Sequence, residues 1–222
     1  MPAPQLRLYH YWRSSSSWRV RWGLTIKGIT PEYVPVSLLD GEAEAPEHRS
    51  RNPLGYVPVL EFLDAPADSS ARFLTESLAI LEWLDETQPG PGLLPPKSGD
   101  PLARARARQL AEIINSGTQP IQNPTVFQMH SDDAAAQKRW AQFWIHNGLA
   151  AYEHWASKTA GLFSVGDQIT LADLCLVPQI YNATRFDVTL ERYPTVKRVY
   201  EAALSTPECQ AAAPDRFKPA EA

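Results

Sequence analysis

The most unusual local chemistry of the chain lies near its start, in Arg13-Ser14-Ser15-Ser16-Ser17-Trp18-Arg19-Val20-Arg21. One of these serines is accounted for as a helix N-cap, worth ~1 kcal/mol of helix stability. A cap needs a single hydroxyl. The surplus hydroxyls, with the first-turn amides and the helix dipole, form a place that favours an anion: a thiolate, a carboxylate or a phosphate. A second feature is Asn52-Pro53-Leu54-Gly55-Tyr56-Val57-Pro58-Val59-Leu60, where a proline stands at the start of a strand candidate. Proline cannot donate to a ladder. Either this is an edge strand, or the Val57–Pro58 bond is cis and turns the Val57 backbone outward toward an extended ligand. The third feature, Thr75-Glu76-Ser77, precedes a helix and reads by itself as a cap with an acidic first turn.

Other chemistries find no support. The five histidines form no HExxH or HxH pair, and Cys175 and Cys209 stand apart from any CxxC or Cys/His spacing. Neither a zinc site nor a disulfide framework is expected, and a reducing, cytoplasmic compartment fits best. No Gly-x-Ser-x-Gly elbow and no phosphate-cradling glycine loop occurs. Lys and Arg number 21 against 25 acids, a net charge of −4, which argues against binding along a nucleic-acid backbone and leaves room only for a local basic pocket. No apolar run approaches the ~18 residues needed to span a membrane.

These features must be held by a fold, and the prolines show where it is jointed. There are 20 in 222 residues, about twice the usual share of ~5%. Five of them fall in residues 88–101 with three glycines, a stretch that no helix or inner strand accepts. Upstream, strands are predicted at residues 6–11, 33–38, 57–62 and 72–74, with helices at 18–27, ending at Gly28, and at 77–86. That order, β-α-β then β-β-α, is a small α/β layer. Downstream, helices are predicted at 102–129, 133–158, 171–183 and 195–204. The start of the third is specified by the capping box Thr170-Leu171-Ala172-Asp173. The domains are therefore expected at 1–87 and 102–222, with 88–101 between them. A make-up that is 44% hydrophobic and 21% charged describes a globular protein able to bury a core without staples.

Taken together in this order, the motifs resemble the zeta-class glutathione transferases, which include the maleylacetoacetate and maleylpyruvate isomerases. The serine/Trp/Arg run carries the resemblance first. It continues through Asn52-Pro53, Val57-Pro58, Glu76-Ser77 with Ile80, and Gln119-Pro120-Ile121-Gln122-Asn123. It ends with Leu171-Ala172-Asp173-Leu174-Cys175-Leu176-Val177-Pro178-Gln179 and Asn182-Ala183-Thr184-Arg185-Phe186. The resemblance implies a thioredoxin-like N-terminal domain, an all-helical C-terminal domain and a homodimer.

It also implies roles. Ser14 hydrogen-bonds the sulfur of glutathione, with Ser15 and Ser16 lining the same turn. A cis Val57–Pro58 presents backbone to the cysteinyl part, Glu76 and Ser77 hold the γ-glutamyl end, and Gln119 and Asn123 reach in from the second domain. His48 is the candidate for the glycyl carboxylate, and Arg13 and Arg185 are the candidates for substrate carboxylates. The implied reaction is cis–trans isomerisation of a maleyl-type dicarboxylate by reversible thiolate addition, with glutathione as cofactor. Conjugation or reduction of small electrophiles is the alternative, and a non-catalytic glutathione-fold binding protein is a further one. This chain departs from the usual Ser-Ser-Cys triplet by carrying Ser16, which argues against chemistry that needs a resolving cysteine.

Overall fold

The computed structural model describes residues 5–69 and 71–219. In chain order the elements are β1 (Leu6–His10), α1 (Ser15–Ile26), β2 (Glu32–Pro35), α2 (Pro46–Arg51), β3 (Val59–Phe62), β4 (Phe73–Thr75) and α3 (Ser77–Thr87). There follow α4 (Pro101–Asn115), α5 (Pro124–His130), α6 (Ala134–Thr159), α7 (Leu171–Thr184), α8 (Pro194–Leu204) and α9 (Pro207–Ala212). The chain divides into two compact units. One runs up to Pro91 and takes the chain back from Pro207, and the other is Gly92–Thr206. The last stretch, expected with the helical half, thus packs with the α/β unit.

In the first unit the strands order β2-β1-β3-β4. β1 is parallel to β2 and antiparallel to β3, which is antiparallel to β4. The parallel pair is possible because α1 supplies the crossover between β1 and β2. α1 begins three residues before its expected start and is buried around most of its circumference, since it packs against both α3 and α9. Trp18, Val20, Trp22 and Leu24 are its buried apolar residues, and Arg19 and Arg21 are buried beside them. Each apolar side chain so placed contributes roughly 1.5–3 kcal/mol relative to exposure. β3 brings in a buried carboxylate, Glu61, which accepts from Arg7 (3.0 Å), the Tyr9 hydroxyl (2.8 Å) and Arg72 (2.8 Å). Burial pushes its pKa up, but the three donors outweigh that and leave it below the ordinary carboxylate value.

The second unit is helical, with α7 at its centre. Residues 171–180 are all buried, and α7 packs on α4 and α8. The expected capping box is present: Asp173 accepts from the Thr170 N–H at 2.9 Å. The single helix expected over 102–129 is instead α4, a one-turn 3-10 segment (Pro120–Gln122) and α5. Pro120 and Pro124 each occupy a first helical position, where the missing N–H costs nothing, and so start new helices. The Pro-rich joint is firmer than its composition suggests, because Leu93 is buried and its carbonyl accepts from the Leu171 N–H at 2.9 Å.

Candidate active site

Ser14 is the N-cap of α1 (φ −66°, ψ 124°), and its oxygen accepts from the Ser17 N–H at 3.2 Å. A hydroxyl that accepts still has its own proton to give. Cap and anion donor therefore coincide in one residue. Ser15 and Ser16 form the first helical turn, both half-buried, while the buried Ser17 accepts from the Tyr11 N–H at 3.3 Å. The Ser14 N–H bonds the Tyr11 carbonyl at 3.1 Å and closes a tight turn. Trp12 lies inside it, with the Arg13 guanidinium 5.6 Å and the Lys218 ammonium 5.7 Å from its ring centroid.

The Val57–Pro58 peptide is cis. Val57 is buried, and none of the described residues hydrogen-bonds its backbone N–H or carbonyl. The loop ahead of it is held from inside: Asn52 Nδ2 and His48 Nε2 each donate to the Tyr56 carbonyl at 3.0 Å. His48, expected at the glycyl carboxylate of glutathione, is held within this loop. It is 2% exposed, packs edge-on to Tyr9 and uses its ring N–H on the backbone.

Glu76 is exposed and sits at φ 65°, a left-handed conformation that costs a non-glycine residue ~1–3 kcal/mol and persists only where the surroundings impose it. The next residue, Ser77, is buried, and its oxygen accepts from Arg19 Nη1 at 3.1 Å. The first unit thus brings Ser14, Ser15 and Ser16 onto the same helix that wires Ser77. Arg19 and Arg21 lie within the serine/Trp/Arg motif, which by itself assigns them no role. The signal was there: two arginines, two residues apart, interleaved with Trp18, Val20 and Trp22.

In the second unit Gln119 and Asn123 flank the 3-10 turn between α4 and α5. Between them the buried Gln122 donates to the Thr118 carbonyl at 2.7 Å, and its oxygen accepts from Gln179 (3.2 Å) and Asn182 (2.6 Å). Asn182 in turn accepts from Arg185 Nη1 at 3.1 Å. A chain of amides therefore ties the Gln119–Asn123 turn to Arg185 at the exposed end of α7. Gln122, Gln179 and Asn182 lie within the motifs quoted above, where no role was expected of them. A separate cavity of about 680 Å³ in this unit, lined by Arg106, Trp155 and Lys158 among others, takes in none of the predicted site residues.

Neither cysteine offers a second nucleophile. Both are buried and outside any disulfide, and burial pushes the Cys209 pKa up to about 12.

Comparison with known proteins agrees with this geometry. A family model described as glutathione S-transferase, N-terminal domain, matches residues 8–92, and the corresponding C-terminal domain model matches residues 120–211. The chain belongs to the glutathione S-transferase family. It is 43% identical over 217 residues to the maleylacetoacetate isomerase of Rhizobium meliloti (strain 1021), covering 96% of this chain and 97% of the relative. Two crystal structures of the maleylacetoacetate isomerase of Anaeromyxobacter dehalogenans 2CP-1 are similar over 99% of both chains. One, with bound GSH in the active site, has a TM-score of 0.85 at 50% identity. The other, with bound dicarboxyethyl glutathione and citrate in the active site, has a TM-score of 0.84 at 49% identity. Within the family, the chain falls in the zeta-class branch of maleylacetoacetate isomerase-like enzymes.

Proposed function

We propose that this protein is a glutathione-dependent cis–trans isomerase of a maleyl-type dicarboxylate, maleylacetoacetate or maleylpyruvate. The observation that carries the reading is the intact donor set of the first unit in a chain so similar to a relative crystallised with dicarboxyethyl glutathione. Three groups fit a tripeptide thiol. The Ser14 hydroxyl has a proton left for sulfur, the Val57 backbone is available for strand-like pairing, and the Ser77 hydroxyl, which accepts from Arg19, still has a proton for a carboxylate.

Bound glutathione supplies the thiolate that adds to the conjugated double bond and leaves after rotation. The protein must keep that sulfur ionised. A free thiol, with a pKa near ~8.5, is only a few per cent thiolate at neutral pH. A hydrogen bond to a charged acceptor contributes roughly 1.5–3 kcal/mol, equivalent to about one to two pKa units. Ser14 supplies that bond, and the N-terminus of α1 adds to it. Ser15 and Ser16 line the same turn. Glu76 with Ser77 holds the γ-glutamyl end, and Gln119 and Asn123 keep the glutathione contacts the resemblance implies. Arg13 and Arg185 bind substrate carboxylates, where a guanidinium can place two parallel bonds. Asn182 fixes the direction of Arg185. A homodimer in a reducing, cytoplasmic setting completes the reading.

The test is direct: maleylacetoacetate or maleylpyruvate is mixed with the protein and the fumaryl product followed with and without glutathione. Turnover that requires glutathione is expected, and equal rates in the two conditions would overturn the mechanism.

A further inference from the structure

Arg21 is fully buried in α1, yet none of the described residues it touches is an anion. Its Nε donates to the Ala212 carbonyl at 3.1 Å, and Nη2 donates to the Trp12 carbonyl at 3.0 Å. Nη1 reaches the Tyr11 carbonyl at 3.3 Å and His10 Nδ1 at 3.2 Å. The Phe217 ring covers the guanidinium at 4.6 Å. Among the described residues no carboxylate from β1, β2, α3 or α9 pairs with it.

A buried charge without a counter-ion is costly, and a fold that needed only a space-filling group there would do better with an apolar one. The contacts show what the guanidinium does instead. The Tyr11 carbonyl that accepts from Arg21 is the one that accepts from the Ser14 N–H. Arg21 thus grips the first two carbonyls of the turn that ends on Ser14. Its other side is set by the C-terminal segment, through Ala212 and Phe217.

We propose that Arg21 is the positioning residue of thiol activation: it locks the Tyr11–Ser14 turn, and its unpaired buried charge is compensated by the glutathione thiolate held at that turn. The proposal rests on the reading that Ser14 binds the sulfur. The titratable groups around Arg21 agree with it. His10, on β1, offers Nδ1 as an acceptor and is therefore neutral, with burial holding its pKa at about 3. Tyr33, on β2, is pushed up by burial and stays protonated. The C-terminal segment contributes a carbonyl and a ring. Burial lowers Arg21 itself to about 9, which leaves it charged at neutral pH.

The experiment titrates the thiolate ultraviolet absorbance of glutathione bound to the full-length protein, in wild type, Arg21→Gln, Arg21→Lys and Ser14→Ala. Arg21→Gln removes the charge and most of the fork, and is expected to raise the thiol pKa by about one unit, a tenfold loss of thiolate on the acid side. The accompanying loss of kcat should recover as pH rises past the new pKa, which a purely structural defect would not do. Arg21→Lys keeps the charge but cannot hold both carbonyls, and a smaller shift in the same direction is expected. If Arg21→Gln fails to fold, the Lys variant decides. A folded Arg21 variant that binds glutathione with an unchanged titration, or loses binding altogether, overturns the proposal. Ser14→Ala separates the two readings: an unchanged titration there with a shift in the Arg21 variants would move the sulfur contact away from Ser14 and leave Arg21 in place.

Discussion

The Ser14 oxygen accepts from an amide while its proton remains to be donated, so one side chain both ends the disorder of a helix start and prepares a place for sulfur. A comparable economy of contact occurs at Gly148 in the middle of α6. A Cβ built there would lie 2.0 Å from Thr118 Oγ1, a buried hydroxyl that donates to the Ile113 carbonyl at 2.7 Å. Glycine is therefore required by close approach rather than by backbone conformation. Gly148→Ala should cost about 2 kcal/mol, in the usual range for overpacking. Chemical denaturation would measure it, and Thr118→Ala in the same chain should recover much of the loss. If Gly148→Ala proves neutral, the two segments do not meet as described. Ser14 was legible because an excess of hydroxyls at a helix start is visible in the sequence. Gly148 was not, because its reason is a neighbour 30 positions away.

Capping chemistry of the same local kind decides how α7 begins. Asp173 accepts from the Ser164 N–H and the Thr170 N–H, both at 2.9 Å, and from the Thr170 hydroxyl at 3.2 Å. The carboxylate is wholly buried, and burial raises its pKa even against these donors. Asp173→Ala would strand two buried amides at ~1–3 kcal/mol each, so a loss of about 3 kcal/mol or more is expected. Asp173→Asn, which retains one accepting oxygen, should fall between. Equal unfolding midpoints for wild type and Asp173→Ala would contradict this account of the helix start. The box could be read from four residues because its bonds are local. The division of the predicted 102–129 helix could not be read so easily, because hydrophobic spacing runs on while Pro120 and Pro124 restart the chain at N1 positions. The amide relay from Gln122 to Arg185 joins residues about 60 apart and is a product of packing.

At the scale of the molecule, the Pro-rich joint was visible in composition, but the return of the chain from Pro207 to the first unit was not. Nothing in Pro207–Ala212 marks its partner, and the contact is decided by Arg21 and by rings from distant strands. That return helps bury His10, which lies between Tyr33 (5.3 Å between ring centroids) and Phe217 (5.4 Å). Burial first, and then the neighbouring Arg21, lower its pKa from 6.5 to about 3. The sign of the linkage follows. The unfolded chain takes up a proton at this histidine below pH ~6.5 and the native protein does not, so stability must fall as pH drops, by at most about 1.4 kcal/mol per pH unit for this one group. The buried Asp173, whose folded pKa is raised, acts with the opposite sign and is common to the proteins compared, and Glu61, whose folded pKa is depressed like that of His10, adds loss only below its ordinary value of 4.5. His146, lowered by burial and by Arg192, contributes with the same sign, and only a difference measurement assigns the effect to His10. His10→Asn offers Arg21 an oxygen in place of Nδ1 and does not titrate. It should be less stable than wild type at pH 7.5, having lost two ring contacts, yet lose less stability on acidification to pH 5, as urea unfolding at several pH values would show. Parallel curves for the two proteins would mean that His10 is protonated alike in the folded and unfolded states, and the neutral, Arg21-bound histidine beneath the Ser14 turn would have to be abandoned.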